Sequence, residues 1–426
     1  MEAKVRSSEA SSFKKEINPS LRYHTSQIKQ GGLPVLLRKT RRFLALLLSI
    51  PAVLLIRALR PLVLIRIGPL KSDVIGYLAA NTEMYLCRRD AGIENKRAFD
   101  IFYHLTPVSN QQLKKMWDRT LRVWRLAGPV DVLNGALPGG KIHSIPWQQF
   151  RDRDTLGLLP RTPAHLSFTP EEERLGREGL QAMGISEGTP FICFHSRDSE
   201  YVRVIDPGRG THQGYDYRDS NIYNHVPAAE GMTRRGYYAI RMGAVVKEPL
   251  KTANPMIIDY ATKYRSDFMD IFLCAKCYYY IGDETGFNRV PSIFRRPLAN
   301  LNVIPIDLLH TQGANDLSIL KKLWLREESR FLKFSEVFEK GANCFVRTEQ
   351  YEQSGIELVE NTAEEITALA VEMDERLKGT WQTTEEDEVL QKRFWSLFRP
   401  SFKEAHGLIE SRIGADFLRR NRELLE

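Results

Sequence analysis

No stretch of this sequence is long and apolar enough to cross a bilayer as a helix. The uncharged run Phe43–Ile56 is fourteen residues, against roughly 20 for a span, and Arg57, Arg60 and Pro61 block its extension. It begins too far into the chain for a secretory signal, and no small-residue cleavage site follows it. Cysteine is scarce: Cys87, Cys193, Cys274, Cys277 and Cys344 are five in number and widely spread. An odd, scattered set argues against a disulfide framework and for a reducing compartment. Cys274-Ala-Lys-Cys277 is a lone CxxC, which cannot fill a tetrahedral zinc site and reads as two small residues on a buried helix. No internal repeat is visible.

Excess charge is also missing from most of the chain. The net charge is +8, but residues 1–67 hold thirteen Lys/Arg and three Glu, a net of +10, which leaves −2 for residues 68–426. The basicity belongs to an N-terminal arm, and a general polyanion-binding surface, such as a nucleic-acid interface, is excluded for the body. What is present is the composition of a globular protein, 42% hydrophobic and 27% charged over 426 residues, enough for two ordinary domains.

Residues 1–35 are polar, basic and Ser-rich and read as a poorly ordered tail. Beyond them, at about 100° per residue, Arg41, Arg42, Ser49, Arg57 and Arg60 fall within one helical arc of roughly 160°, with leucines, isoleucines and valines opposite. This predicts an amphipathic helix lying on a membrane surface with its arginines toward anionic headgroups; the competing reading packs the helix against the protein body.

The body alternates strand and helix signals, the mark of a parallel α/β sheet. The run 62–67 ending at Gly68 predicts a strand, 74–87 a helix, 99–104 and 129–134 further strands, and 111–126 a helix between them. Residues 135–170 read as irregular. Thr169-Pro170-Glu171-Glu172-Glu173 is a helix start with cap, proline and acids in place. Strands follow at 191–194, 237–241, 277–281 and 302–305, with helices at 222–235 and 267–276 and several acidic helices toward the C-terminus. In such sheets ligands bind outside the carboxyl ends of the strands. Three predicted strand ends are polar and glycine-marked: His195-Ser196-Arg197-Asp198, Arg241-Met242-Gly243, and Gly282-Asp283-Glu284-Thr285-Gly286. They are expected to face one crevice.

The stretches FHSRDSEY, DYRDSNI, AEGMTRRGYYAIRMGAVV and IIDYATKYRSDFMDIFLCAKCYYYIGDETGFNRVPSIFRRP resemble a bacterial glycosyltransferase group associated with surface-polysaccharide gene clusters. So do the early RIGPLKSDVIGYLAANTEMYL and the C-terminal ESRIGADFLRRNRELLE. The resemblance covers roughly residues 62–426 and is densest over 190–306. More distantly, the His-x-Arg strand end and the later Asp-x-x-Asp helix are similar to fucosyltransferase-type enzymes. The resemblance implies a GT-B-like α/β architecture, with two Rossmann-like doubly wound domains facing across a cleft. The expected layout is a basic tail and amphipathic helix over 1–60, an acceptor domain over 61–168, a nucleotide-sugar donor domain over 169–380, and C-terminal helices over 381–426.

The implied reaction moves a sugar from a nucleotide donor to a glycan or lipid-linked acceptor. A departing diphosphate needs cationic stabilisation, which Arg197 can supply bidentately and Arg241 from the next strand end. Thr285, Gly286 and the helix start behind them suit a phosphate, while Gly243 lets backbone approach. An inverting transfer needs a base for the acceptor hydroxyl, and His195 or Asp198 can serve. The acids Asp267 and Asp270 share one helix face and, by the resemblance, lie near the donor; a helix N-terminal role competes for Asp267. Gly68, Lys71 and Asp73, in the first glycine turn, are the expected acceptor contacts.

One departure stands out: related sequences usually carry a small, hydroxyl-rich Gly-Ser-x-Ser-Gly loop where this chain has Asp283 and Glu284. Two carboxylates repel a diphosphate unless they face the sugar, pair with Arg289 or hold a divalent cation. The family works without a bound metal or other cofactor, Mg²⁺ being the only exception this loop suggests. The expected location is the cytoplasmic face of the cell membrane. A non-catalytic glycan- or nucleotide-binding relative and another sugar-nucleotide enzyme, such as an epimerase, are the rival readings.

Overall fold

The computed structural model describes residues 32–95, 97–145, 153–205 and 212–426. The basic tail ahead of residue 32 therefore lies outside the described residues. The chain divides into two compact units: residues to 69 with 97–103 and 122–145, and a larger one comprising 70–96, 104–121 and 146–426.

In the smaller unit, residues 32–58 form one helix. Strands β1 (Leu64–Leu70) and β2 (Ala98–His104) pair in a two-stranded sheet. Single parallel bridges from Ile67 to Ser144 and from Phe102 to Val123 extend it on both sides. The predicted strand at 129–134 is instead part of a helix, Ala127–Gly135. Its buried positions Ala127, Val130 and Asn134 recur at helical spacing, and the first two join Val53, Ile56 and Ile67 in a small core. The valines of PVDVLN suit either element, and packing against the long helix settles the choice.

That long helix is seated differently from the sequence expectation. Ser49 is buried, and Arg57 donates Nε to Asn134 Oδ1 at 2.9 Å and Nη1 to Pro138 O at 3.0 Å. Two members of the arc expected to reach headgroups thus face protein, because orphan acceptors at the end of the helix Ala127–Gly135 claim the guanidinium. The leucine-rich side is exposed: Leu33, Leu37, Phe43, Leu48, Leu54 and Leu55 all lie on the surface. No helix among the described residues is long and apolar enough to cross a membrane.

The larger unit is doubly wound. Seven strands form one parallel sheet: β3 (Phe191–His195), β4 (Tyr238–Arg241), β5 (Ile257–Ile258), β6 (Tyr280–Asp283), β7 (Leu298–Val303), β8 (Leu317–Leu320) and β12 (Arg412–Ile413), in the order β12-β8-β7-β6-β3-β4-β5. Alternation along β3 shows the two covering layers. Ile192 and Phe194 pack with Ala228, Met232 and Met373 of the helices Val226–Arg234 and Ala363–Lys378. Between them Cys193 turns the other way, its Sγ 3.7 Å from Leu273 O in the helix Asp267–Lys276. Both faces are dry, so these strands read as continuous apolar runs.

The helix Pro170–Ala182 starts as expected: Thr169 and Glu172 form a reciprocal capping box with proline in the first turn. A second, antiparallel sheet of β9 (Lys322–Leu325), β10 (Arg330–Phe331) and β11 (Ile356–Val359) was not foreseen among the acidic helices. The expected boundary at 168/169 does not coincide with the division into units. The helix Ile75–Asp90 belongs with the larger unit because Gly76 meets Gly286 backbone to backbone; a Cβ on Gly76 would stand 2.7 Å from Gly286 Cα.

Candidate active site

Strand order places a switch point between β3 and β6. From β3 the chain moves outward to β4 and β5, then returns to lay β6 on the opposite side of β3 and continues to β7 and β8. Carboxyl ends of strands diverge there, which opens a crevice for ligands. The three polar strand ends singled out in the sequence are immediate neighbours: β4 ends at Arg241, β3 at His195 and β6 at Asp283. His195 stands in register with Gly282.

Asp283 organises the crevice floor. Its side chain is 1% exposed. Oδ2 accepts from the Arg197 backbone N at 2.7 Å and from Ser220 Oγ, and Oδ1 accepts from Asn302 Nδ2 at 2.8 Å. Burial pushes this carboxyl up, but hydrogen bonds from His225, Ser220 and Asn302 outweigh it and hold it at about 2. Asn302 ends β7 with φ near +50°, a conformation asparagine tolerates better than most residues. It is locked by Asn361, the two exchanging backbone-to-side-chain bonds of 2.6 and 2.7 Å.

Glu284 is equally committed. Its carboxylate takes Asn288 Nδ2 at 2.8 Å, Arg289 Nη2 at 3.2 Å and His310 Nε2 at 3.1 Å. Burial raises it, and His310 with Arg289 more than reverse that, to about 2. Of the three ways the sequence left for carboxylates beside a phosphate, Glu284 takes the pairing with Arg289. Thr285 Oγ1 accepts from Phe287 N at 3.2 Å and caps a single short turn, Gly286–Asn288, while Gly286 is pressed against Gly76. That packing fills one side of the loop expected to cradle a phosphate.

The two arginines differ in a way sequence could not show. Arg241 is buried and held by Asp259 Oδ1 at 3.3 Å and Glu248 O at 2.8 Å, with both side chains almost sealed from solvent, at 4% and 3% exposure. Arg197 pairs with Asp219 and donates to Tyr215 O at 3.2 Å, but here the carboxylate is 29% exposed. Burial lowers the Arg197 pKa and Asp219 opposes the shift. Asp198 spends both carboxylate oxygens on backbone, accepting from Glu200 N at 3.0 Å and Lys247 N at 3.1 Å. Gly243 sits at φ +157°, and a Cβ there would meet Val246 Cγ1 at 2.6 Å; its small size serves the turn.

His195 is half-buried, and its Nδ1 is buried without a hydrogen-bond partner. Desolvation lowers its pKa to about 4; Asp283 pulls upward, while His225, Arg241 and Arg197 add to the lowering. The imidazole is therefore neutral at neutral pH. Arg218 Nε is likewise buried and unpartnered, while His225 Nε2 lies 3.7 Å from Asp283 Oδ1. Arg218 Nη2 donates to Glu284 O, placing it in the same group.

Asp267 accepts from Gln111 N at 2.8 Å and pairs with Arg265 at 2.6 Å, so it ties two helix starts together. Asp270 is buried against Tyr260 Oη at 2.8 Å and Arg265 at 2.9 Å, and desolvation raises it to about 6. Lys71 lies 5.1 Å from the Tyr77 ring centre, and Asp73 is exposed, in the turn that leads to Gly76. Gly68 lies within β1.

Sequence reasoning read Arg218 and Asp219 as a loop-stabilising pair and passed over Ser220, His225, Asn302, Lys321 and Asn361. Lys321 is buried and its Nζ holds Tyr217 O at 3.1 Å and Asp219 O at 2.6 Å; burial lowers its pKa. Two signals were available. Asn300 and Asn302 interrupt an otherwise apolar strand, and Lys321 interrupts the run Leu317–Leu325; buried polar groups in such places need partners.

No family model and no curated protein matches this chain. Among solved structures, a glycosyl transferase family 9 protein from Veillonella parvula is similar over 72% of this chain and 96% of its own, at 11% identity and TM-score 0.39. The Escherichia coli ADP-heptose LPS heptosyltransferase II is similar over 73% of this chain and 100% of its own, at 12% identity and TM-score 0.37. The functional reading rests on the geometry of the strand ends rather than on these likenesses.

Proposed function

We propose that this protein is a glycosyltransferase that moves a sugar from a nucleotide donor to a glycan or lipid-linked acceptor in surface-polysaccharide synthesis. The observation that carries the reading is that His195 Nδ1 and Arg218 Nε are both buried without a hydrogen bond, beside the Asp283–Glu284 strand end at the sheet's switch point. Native proteins rarely leave such atoms unsatisfied, and a ligand that offers an anionic oxygen to Arg218 and a hydroxyl to His195 answers both.

The donor diphosphate meets Arg197 rather than Arg241. A phosphate can replace the partly exposed Asp219 on Arg197, whereas reaching Arg241 means breaking its sealed pair with Asp259. His195 is the acceptor-side base, since it is neutral with a free ring nitrogen, while both Asp198 oxygens are bound to backbone. The diphosphate's charge would raise the His195 pKa from its low resting value as the donor binds. Asp283 and Glu284 face inward onto protein donors, which supports a donor site working without a metal.

The long N-terminal helix supports attachment to the cytoplasmic face of the cell membrane: its leucines are exposed and Arg38, Lys39, Arg41 and Arg42 flank them. A second reading, a nucleotide- or glycan-binding relative without catalysis, is favoured by one fact: carboxylates already engage both Arg197 and Arg241.

Thermal unfolding with GDP, UDP, CDP and dTDP, each with and without Mg²⁺, tests the reading. One nucleotide should raise Tm well beyond the others, and Arg197→Ala should remove that rise. No shift with any of the four overturns it. Binding without sugar transfer from the matching donors would establish the second reading instead.

A further inference from the structure

A second group of reactive side chains lies away from the switch point. Glu83 and Cys87 stand one turn apart on the same face of the helix Ile75–Asp90, and both are 0% exposed. His165 reaches them from the irregular segment ahead of Thr169. Its Nδ1 is 3.0 Å from Glu83 Oε1, and its Nε2 is 3.0 Å from Asp90 Oδ2. One ligand atom from each of Glu83, Cys87 and His165 lies within 4.8 Å of the others.

The Glu83 carboxylate is used on one side only. Oε1 also takes Arg295 Nη2 at 2.5 Å, with the same nitrogen 3.7 Å from Cys87 Sγ. Oε2 is buried and has no partner. A carboxylate oxygen stripped of water and left unbonded is costly, and a thiol and an imidazole belong to the same cluster.

We propose that Glu83, Cys87 and His165 form a binding site for a single Zn²⁺, ligated through Glu83 Oε2, Cys87 Sγ and His165 Nδ1 with the fourth position left to water. Oxygen, sulfur and imidazole nitrogen are the donor set zinc takes. Helical i, i+4 spacing delivers two of them to one point. Asp90 supplies the carboxylate that commonly orients a zinc-bound histidine: by accepting from Nε2–H it leaves the Nδ1 lone pair for the metal. The charges close, since one thiolate and one carboxylate match the dication, and Arg295 keeps its bond to Oε1. The Cys87 thiol proton, with any proton on His165 Nδ1, passes to solvent as the metal enters. The His165 side chain is 15% exposed, which opens the site on that side. A filled site would fasten the helix Ile75–Asp90 to the segment around His165.

The test uses the full chain, stripped with a chelator and titrated with Co²⁺ and then Zn²⁺. Cobalt should give a thiolate charge-transfer band that saturates at one equivalent, is bleached by zinc, and is absent from Cys87→Ser. Zinc in hundredfold excess over its Kd should raise Tm by about 3 °C in the native chain and leave Cys87→Ser and His165→Gln unmoved. If Cys87→Ser fails to fold, Cys344→Ser decides: it should keep the native band, and losing it overturns the proposal. No band, or one saturating far above one equivalent, overturns the proposal. So does a band that survives in Cys87→Ser, which would come from another thiol such as the exposed Cys344. The outcome is independent of nucleotide binding.

Discussion

Asp283→Asn is the substitution most diagnostic of how the crevice is built. The carboxylate accepts from Arg197 N and Ser220 through Oδ2, and from Asn302 Nδ2 through Oδ1, at 1% exposure. An asparagine keeps one acceptor oxygen and turns a donor toward the other side. If the oxygen serves Arg197 and Ser220, Asn302 faces an amide N–H; if it is flipped, the first two do. At least one buried donor therefore loses its acceptor and a second donor is brought against it, at about 1–3 kcal/mol each, or roughly 2–5 kcal/mol in all. Protonation gives a second route to the magnitude. The carboxyl is held at about 2 against a reference of 3.8, which corresponds to roughly 2 kcal/mol. Because the folded value is the lower one, that stability is complete above the unfolded value near 3.8 and is lost as pH falls from there through 2. Urea unfolding should show the variant about 2–5 kcal/mol less stable at pH 7, with the gap narrowing as pH falls from about 4 toward 2. A loss under about 1 kcal/mol at pH 7, or a gap that stays constant on acidification, would refute the assignment of Asp283 as the buried acceptor of the site.

Gly76→Ala places a Cβ 2.7 Å from Gly286 Cα and should cost roughly 1–3 kcal/mol in urea unfolding, whereas Gly135→Ala, with nothing within 4 Å, should be neutral or slightly stabilising. Arg241→Met leaves Asp259 buried and unpaired and should lose about 3–5 kcal/mol of stability, while Arg197→Met should lose ~1 kcal/mol or less and show its effect in nucleotide binding. Replacing Leu44, Leu48 and Leu55 by serine leaves Val53 and Ile56 in their seat. It should preserve Tm within a few degrees and release the protein from anionic vesicles in a flotation assay; unchanged flotation would show that these leucines do not contact lipid.

What could be read in advance was whatever depends on neighbours in the chain. The Thr169–Glu172 capping box, the helix Asp267–Lys276 and the apolar strands of the parallel sheet each advertise themselves within a dozen residues. The three polar strand ends followed from the rule that ligands sit at carboxyl edges, and sheet order makes them neighbours. Pairing of charges was not legible, because it is decided by loops that return from far along the chain. Arg197 finds Asp219 and not the adjacent Asp198, since the turn after β3 spends Asp198 on backbone N–H groups. Residues 129–134 read as a strand from their valines, and only the core they join makes them helical. The arc of arginines on the long helix was located correctly, but which side meets protein depends on acceptors at Asn134 and Pro138 that no periodicity reveals.

The carboxylates in Gly282-Asp283-Glu284-Thr285-Gly286 looked hostile to a phosphate, and their contacts turn that objection around. Asp283 binds the first backbone N–H beyond Ser196, so β6 sets the direction in which the turn after β3 leaves the sheet. Glu284, through Arg289 and His310, fixes the turn that follows. With their charge spent on protein donors, neither needs to repel a ligand. Asp219, 29% exposed, occupies Arg197 in the way a phosphate oxygen would. With Tyr215 O it holds the guanidinium, and its charge opposes the effect of burial there. An incoming diphosphate then exchanges one anion for another on an arginine already in position, and avoids the cost of ordering a free side chain. By that reasoning Asp219→Asn should tighten nucleotide binding rather than weaken it, because it removes the competing anion and leaves Arg197 in place. Weaker binding by that variant would mean that Asp219 orients Arg197 more than it competes for it.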